Sequence, residues 1–366
     1  MKITEIEAIP YSIPYHKPLS FATGVLTHAN HVLIKIHTSE GFFGISEAVE
    51  RPMIYGESQQ SIVTAIHKWF APLLIGMDPF AVEIVQGKLK QIVANNTAKG
   101  ALDIALHDLR GKVLQQPCWR LFGGDGGEIQ VTAMLSIGKP EEVAQEALSI
   151  REQNGSNVFK IKVGLDEEND LAVVKEVRNV LGDDARLYVD ANHGYTAEQA
   201  LRILPKMISE NIEFVEEPNP AEDFIGRAKL SAMLSVPIMA DESVPTLSDA
   251  VRELYNDAAR IISVKTTRTG FTESSKIVAL AQALGVRTVL GNQADSVIGT
   301  SASLQFGGGY PWVKREAGEF DLFQLMKDQV ANEMLHVQNG KLQVPNGPGI
   351  GVSINEEKLK YYRIDE

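Results

Sequence analysis

The feature that most constrains this chain is a repeat that begins near residue 129 and continues to about residue 320. Short apolar runs alternate with stretches of helical periodicity. The runs are VTAMLS, FKIKVG, RLYVDAN, EFVEEP, PIMADES, IISVKT, RTVLGN and VKREAGEF. Helix-like segments at 168–181, 196–210, 222–235, 246–257 and 271–284 lie between them. Strands buried on both faces, each followed by an amphipathic helix, build a parallel sheet with helices outside. Eight such units without a long break predict an α/β fold, a parallel (β/α)₈ barrel. A doubly wound sheet would have fewer strands and would open on a glycine-rich phosphate turn. No such turn follows the first strand here.

The segment before the barrel reads as α+β. Residues 2–13 alternate, 31–38 and 42–48 are strand-like, and Ser39-Glu40-Gly41 joins the latter two as a hairpin. Residues 59–75 and 97–114 carry apolar residues at helical spacing. Gly123–Gly127 reads as a linker, and Gly307–Gly309 as a flexible turn before strand eight. His107-Asp108 looks like a catalytic pair, but its place in an amphipathic helix favours a solvated face or an interdomain contact. The division expected is a capping domain over 1–125, a barrel over 126–326 and a C-terminal segment over 327–366. That last segment holds an LHVQNGKLQV hairpin pattern and is expected to pack back on the cap.

Composition narrows the function. The net charge of −12 argues against a nucleic-acid partner, which would want a basic stripe. A single cysteine, Cys118, excludes an internal disulfide framework and fits a reducing cytoplasm. The N-terminus alternates like a strand rather than running as a signal peptide, and runs such as APLLIGM are too short to span a bilayer. No membrane partner is expected.

In a barrel of this kind, polar residues at the C-terminal ends of the strands face the active site. Strand two ends in Lys160-Ile161-Lys162, strand three in Asp190-Ala191-Asn192, strand four in Glu216-Glu217-Pro218 and strand five in Asp241-Glu242-Ser243. Strand six ends in Lys265, strand seven in Asn292-Gln293 and strand eight in Glu319-Phe320-Asp321. Asp190, Glu216, Asp241 and Lys265 follow one another at intervals of 26, 25 and 24 residues. One βα unit has about that length, roughly 250 residues over eight units. Three carboxylates thus face one mouth at similar height.

Carboxylates that close together raise one another's pKa unless a cation joins them. An all-oxygen set suits Mg²⁺, with Mn²⁺ as a substitute. Only His193 offers nitrogen at these ends, which argues against zinc; beside Asp190 it is a candidate supporting partner. Lys160 and Lys162, two apart on a strand, point to one face. Neighbouring positive charge is expected to lower a lysine's pKa toward that of a usable base. Lys265 enters from the far side. A base on each face of a bound carbon suits removal and return of a proton next to a carboxylate, with the metal holding the enediolate charge.

At these residues the chain resembles the enolase superfamily, and within it the muconate lactonizing enzyme subgroup. The likeness rests on Lys-x-Lys at 160–162, DAN at 190, EEP at 216, ADES at 240 and the lysine at 265. It extends outside the barrel to APLLIG at 71–76, AKGALDIALHDLRGK at 98–112 and PNGPGIGV near the end. It implies a capping α+β domain on a modified TIM barrel, with metal ligands Asp190, Glu216 and Asp241. It implies acid/base roles for Lys162 and Lys265, with Lys160 neutralising the substrate carboxylate. Substrate contacts would come from Asn192, Glu242, Asn292, Glu319 and Asp321, and from cap loops at about 16–30 and 50–57 that include Phe21, Thr23, His28, Met53 and Tyr55.

The resemblance also implies a small carboxylate substrate and a homo-oligomer. The activity expected is cycloisomerisation of a muconate-like diacid. The alternatives are dipeptide epimerisation or N-acyl amino acid racemisation, dehydration of an acid sugar or hydroxy acid, and a non-catalytic barrel scaffold. Dipeptide epimerases carry Asp-x-Asp on strand eight to hold a substrate ammonium, and this chain has Glu319-Phe320-Asp321 there. Muconate-type relatives carry a hydrophobic segment at strand seven, where this chain reads NQADS.

Overall fold

The computed structural model describes residues 1–21 and 24–365. Three long strands open the chain: β1 (Ile3–Phe21), β2 (Gly24–Thr38) and β3 (Phe43–Val49), an antiparallel sheet in the order β1-β2-β3. Even and odd positions serve different neighbours. Ile6, Ala8, Val32, Ile34 and Ile36 pack under the cap helices, while Ile9, Tyr11, Ile13, Leu33 and Ile45 pack toward the barrel. Period-two alternation thus turns one sheet into the filling of a sandwich. That explains why β2 is almost continuously buried from Val32 to Ile36.

The cap helices are α1 (Gln59–Ala65), which runs on through a π-turn at Ile66–Phe70, α2 (Val82–Leu89) and α3 (Asn96–Leu114). A Ser58 capping box starts α1. Residues 16–30 are expected as a loop; of these, 16–21 and 24–30 are instead the far arm of the β1–β2 hairpin, with Leu19 opposite Leu26 and Phe21 opposite Gly24. Proline and polar residues hide that arm from a hydrophobicity pattern. A register shift between Pro14 and Leu19 interrupts it further.

Eight parallel strands form the barrel, in the order β10-β9-β8-β7-β6-β5-β4-β11. They are β4 (Glu128–Met134), β5 (Val158–Lys162), β6 (Arg186–Asp190), β7 (Ile212–Glu216), β8 (Ile238–Ala240), β9 (Ile261–Val264), β10 (Arg287–Leu290) and β11 (Gly318–Glu319). Seven helices connect them: α4 (Pro140–Asn154), α5 (Glu167–Leu181), α6 (Ala197–Ile208), α7 (Phe224–Met233), α8 (Leu247–Tyr255), α9 (Thr266–Ala283) and α10 (Val297–Gly309). After β11 the chain makes a 3₁₀ turn instead of an eighth helix. Strand β11 pairs with β4 over two residues, and Asn292 N–H donates to Glu319 Oε2 at 3.3 Å across the seam to β10.

The barrel interior is layered. Val158, Tyr188, Phe214, Met239, Ile261, Val289 and Ala317 form one apolar plug. Two residues further along the same strands stand Lys160, Asp190, Glu216, Asp241, Ser263, Gly291 and Glu319. Because side chains alternate with a period of two, an apolar floor at one level fixes a charged level directly above it. Tyr188 joins the two, its ring 5.9 Å below the Lys160 ammonium and its hydroxyl donating to Glu319 at 2.8 Å.

The tail is not the hairpin its sequence pattern suggests. Only β12 (Lys341–Gln343) is a strand, and it pairs antiparallel with the first half of β4. The Asn339-Gly340 turn, with φ of 51° and 67°, closes on a single bridge between Gln338 and Lys341. Bridges at Tyr15–Met326, Tyr11–Arg363 and Pro117–Gly349 tie the remainder to the cap side.

Two glycine readings change. Gly307–Gly309 close α10 and are buried against Phe122, Ile129 and Val344, so they are a packing surface and not a flexible turn. Gly124 lies so close to them that a Cβ there would meet Gly308 O at 2.0 Å. The 123–127 stretch is therefore a tight crossing.

His107 and Asp108 are interdomain contacts, and the solvated-face alternative fails because Asp108 is buried and the His107 ring, partly buried, packs on barrel residues. His107 meets Thr272 at 3.1 Å and the Phe122 and Phe271 rings. Asp108 accepts from Ile45 N at 2.7 Å and Ile350 N at 2.8 Å, so one carboxylate joins the cap sheet to the tail. Asp108→Ala would leave both buried amides unpaired. It is expected to lower stability by about 1–3 kcal/mol, read as a lower midpoint in urea at unchanged slope.

Candidate active site

The barrel mouth carries a compact lattice of opposite charges. Lys160 Nζ lies 2.8 Å from Asp190 Oδ2, 2.8 Å from Glu216 Oε2 and 2.7 Å from Glu319 Oε1. Lys162 Nζ lies 2.6 Å from Asp190 Oδ2 and 2.9 Å from Asn192 Oδ1. On the opposite wall Lys265 Nζ bonds Asp241 Oδ2, and Arg268 Nη1 lies 3.3 Å from Asp241 Oδ1. All of these residues are buried. The strand register sets the layout, since Asp190 is the direct neighbour of both Lys162 and Glu216.

These contacts reverse one expectation. Burial disfavours the Lys160 ammonium, but Asp190, Glu216 and Glu319 outweigh it and hold the pKa well above the usual lysine value. Burial likewise lowers Lys265, and Asp241 more than restores it. Each ammonium faces carboxylates rather than another ammonium, so the lowering expected from paired lysines is not found at these two. On the acid side, burial and the Asp190 charge push Glu216 well above the carboxylate range. Asp190 and Asp241 are held below it, because their lysines and Arg268 outweigh burial.

Above this layer is a cavity of about 120 Å³. Its floor includes Lys160, Lys162, Asp190, Asn192, Glu242, Lys265 and Asn292, and its roof includes Gly24–Leu26 and Glu50–Tyr55 from the cap. Tyr55 and Met53 thus reach the site as the cap loops were expected to. His28 is exposed, and its ring meets the Thr27 hydroxyl rather than the cavity. Thr23 and the side chain of Phe21 lie outside the described residues. Glu319 and Asp321 do not line the cavity. Glu319 is taken by Lys160 and Tyr188, and Asp321 accepts from Met134 N at 2.9 Å.

His193 does not bond Asp190; its amide donates to Glu217 O. Glu217 supports the loop of strand five, accepting from Asp241 N at 2.6 Å and from Ser243 Oγ at 2.9 Å. Asn192, His193, Glu217 and Ala294, all at strand ends around the mouth, hold positive φ without being glycine. Such conformations persist where the surroundings enforce them.

Sequence reasoning missed two residues. Arg268 is fully buried, bonds Asp241 and donates to the Tyr55 hydroxyl at 2.9 Å, joining cap to barrel wall. Arg51 lines the roof. Position offered a signal for Arg268, which lies one helical turn after Lys265. Arg51 falls inside the 50–57 cap loop that the resemblance already set over the site, and it went unnamed there.

The implied divalent cation can be tested against these side chains. Among the described residues no three acidic, histidine or cysteine groups are gathered into a cluster that would hold a metal as they stand. The ammonium groups of Lys160 and Lys265 sit between the carboxylates. The donor chemistry does fit a hard ion: oxygen ligands only, at neighbouring strand ends, with Glu216 Oε1 buried and lacking any hydrogen-bond partner.

A capped parallel barrel whose mouth interleaves lysines with carboxylates defines an enzyme of the enolase type. The family model "Enolase C-terminal domain-like" matches residues 142–358, and "Mandelate racemase / muconate lactonizing enzyme, N-terminal domain" matches residues 3–123. The chain belongs to the mandelate racemase / muconate lactonizing enzyme family of the enolase superfamily, and it is an isomerase-type enzyme.

Muconate cycloisomerase 1 of Rhodococcus opacus is 31% identical over 98% of each chain. The muconate lactonizing enzyme from Mucobacterium Smegmatis complexed with muconolactone superposes with a TM-score of 0.97 at 42% identity, covering 100% of both chains. A dipeptide epimerase from Enterococcus faecalis, complexed with Mg and the dipeptide L-Leu-L-Tyr, gives a TM-score of 0.91 at 27% identity. It covers 96% of this chain and 100% of its own. No helix among the described residues is long and apolar enough to cross a membrane.

Proposed function

We propose that this enzyme interconverts a muconate-like diacid and its lactone. The observation that carries this reading is the engagement of the strand-eight acids. An epimerase acting on a dipeptide must hold the substrate's ammonium on free carboxylates. Here Glu319 is held by Lys160, Tyr188 and Asn292, and Asp321, with Oδ2 on Met134 N and Oδ1 unpaired, lies outside the cavity lining. The cavity instead sets Lys160, Lys162, Lys265 and Arg51 beside Glu50, Asp190 and Glu242, and a divalent cation on the three ligand carboxylates would tip that balance toward an anionic substrate.

In the closing direction a carboxylate oxygen of the diacid adds to the conjugated double bond. The electron pair moves to the α-carbon and the other carboxylate, giving an enediolate. Lys162 or Lys265 then donates a proton to the α-carbon, and one solvent proton is consumed in restoring the ammonium. Lys160, buried beneath, offsets the charge on the substrate carboxylate. Asp190, Glu216 and Asp241 would hold Mg²⁺ or Mn²⁺, which when bound supplies positive charge against the enediolate. Opening the lactone runs the same transfers in reverse.

A second reading, racemisation of an N-acyl amino acid, draws on the two lysines at opposite walls of the cavity. It needs no ammonium site. The test is incubation of the purified enzyme with Mg²⁺ and cis,cis-muconate, following loss of diene absorbance. In parallel, dipeptides and N-acyl amino acids in D₂O are followed by NMR. Lactone formation with no deuterium at any amino acid α-carbon is the expected result. Deuterium entering those substrates while muconate persists would replace the first reading with the second.

A further inference from the structure

The roof of the cavity holds a guanidinium to which no step of the proposed reaction assigns a substrate atom. Arg51 is 9% exposed. Its Nη1 donates to Glu50 O at 2.8 Å and its Nη2 to Gln293 O, both backbone carbonyls. No carboxylate forms an ion pair with it among the described residues. The other cations of the cavity differ in this respect: Lys160, Lys162 and Lys265 each face a carboxylate.

The acids near Arg51 stop short of an ion pair with it. Glu50 Oε1 accepts from Asn30 and its Oε2 from Gln59 N, both at 2.8 Å. Asp295 Oδ1 accepts from Thr267 at 3.0 Å; its Oδ2 is buried without a hydrogen-bond partner and feels the Arg51 charge through space, without direct contact. Glu47 is bound by Tyr11 and Ser296. A charge buried without a counter-ion is unfavourable and persists where something else requires it.

Position supports a ligand. Arg51 precedes the short Pro52–Tyr55 helix of the cap, and its backbone bridges to Glu57. Its side chain crosses to the strand-seven loop at Gln293, so it stands where roof meets wall. The lysines stand at the floor. A guanidinium has five donors on a planar fork that matches a carboxylate, and two backbone carbonyls with the neighbouring Tyr15 hydroxyl do not exhaust them.

We propose that Arg51 binds the second carboxylate of the substrate, the one remote from the carbon that exchanges its proton. The cavity is then built for a dianion: one carboxylate at the lysine floor and one at the roof. This rests on the reading of the enzyme as a diacid isomerase and names the residue that selects for the diacid. It also gives the cap a part in recognition, because the distal charge would draw Arg51 and the Pro52–Tyr55 turn onto the ligand.

The experiment uses the Mg²⁺-loaded enzyme with two non-reacting probes, a saturated six-carbon dicarboxylate and its monomethyl ester, each titrated by calorimetry. Wild type is expected to bind the diacid about 10- to 100-fold more tightly than the half-ester, the range for a charge-assisted hydrogen bond. Arg51→Met should bring that ratio near one without weakening the half-ester. Arg51→Lys, which keeps the charge, should retain most of the ratio.

A wild-type ratio near one overturns the proposal. So does an Arg51→Met variant that keeps the full ratio, or one that weakens both probes equally, which would mark a structural role through Gln293. Because neither probe reacts, the outcomes separate. A ratio that collapses in an enzyme inactive on muconate removes only the functional reading. An unchanged ratio in an enzyme that lactonises muconate removes only the role of Arg51.

Discussion

Replacing Lys162 with alanine is expected to lower kcat about 10²- to 10⁴-fold, the range for losing a positioned acid or base, while the protein still binds Mg²⁺. Asp241→Asn is expected to lose both. The two residues stand in the same lattice but on different parts of it. Lys162 lines the cavity and reaches Asp190 from its open side, so its removal takes a proton carrier away and leaves all three carboxylates in place.

Asp241 is enclosed beneath the cavity by Lys265 and Arg268, and its amide is held by Glu217. Neutralising it removes a ligand oxygen and strands two buried cations at once. Calorimetric titration of Mg²⁺, beside kcat on the substrate identified by the screen, separates the cases. If Lys162→Ala keeps full turnover, or Asp241→Asn keeps Mg²⁺ affinity, the division into proton carrier and metal ligand is wrong.

Much of this site could be read from the sequence because barrel geometry converts spacing into position. Residues at intervals of one βα unit come to the same height, and Lys160 and Lys162 share a face because strand side chains alternate. The barrel strands were legible because their apolar runs are short and bounded. Strand β11 was overextended: only Gly318–Glu319 pair, since the preceding residues make a 3₁₀ turn at Val313–Arg315.

What was not legible depends on contacts between distant segments. Nothing local reveals that Arg268 would meet Tyr55, or that Gly307–Gly309 would lie against Phe122. The surroundings of Lys160 were out of reach for the same reason. Adjacency along one strand placed Lys160 beside Lys162, while three other strands brought Asp190, Glu216 and Glu319 around it. Gly270 shows the opposite case, a local signal with a distant cause. Its φ of 70° and the Asp103 carboxylate 2.8 Å from any Cβ leave room for glycine alone, and Phe271 beside it fills the aromatic cluster with His107.

The largest effect on stability is expected behind the metal-facing layer. Arg227 is fully buried, donates to Glu253 at 2.9 and 3.1 Å, and lies 3.2 Å from Glu217 Oε1. It also donates to the carbonyls of Pro220 and Ala221, which fixes the loop after strand four. Through Glu217 the same network holds the amide of Asp241.

Arg227→Met would leave the buried Glu217 without its cation and Glu253 with only the partly exposed Arg252, a loss of about 3–5 kcal/mol. The urea midpoint should fall accordingly. Mg²⁺ affinity should fall with it, because Glu217, once repelled from Glu253, no longer fixes the strand-five loop. Adding Glu217→Gln and Glu253→Gln to Arg227→Met removes the stranded charges and should recover much of the stability but not the Mg²⁺ affinity. Stability lost without any change in Mg²⁺ binding would mean that the network supports the barrel wall and leaves the position of Asp241 to Arg268 and Lys265 alone.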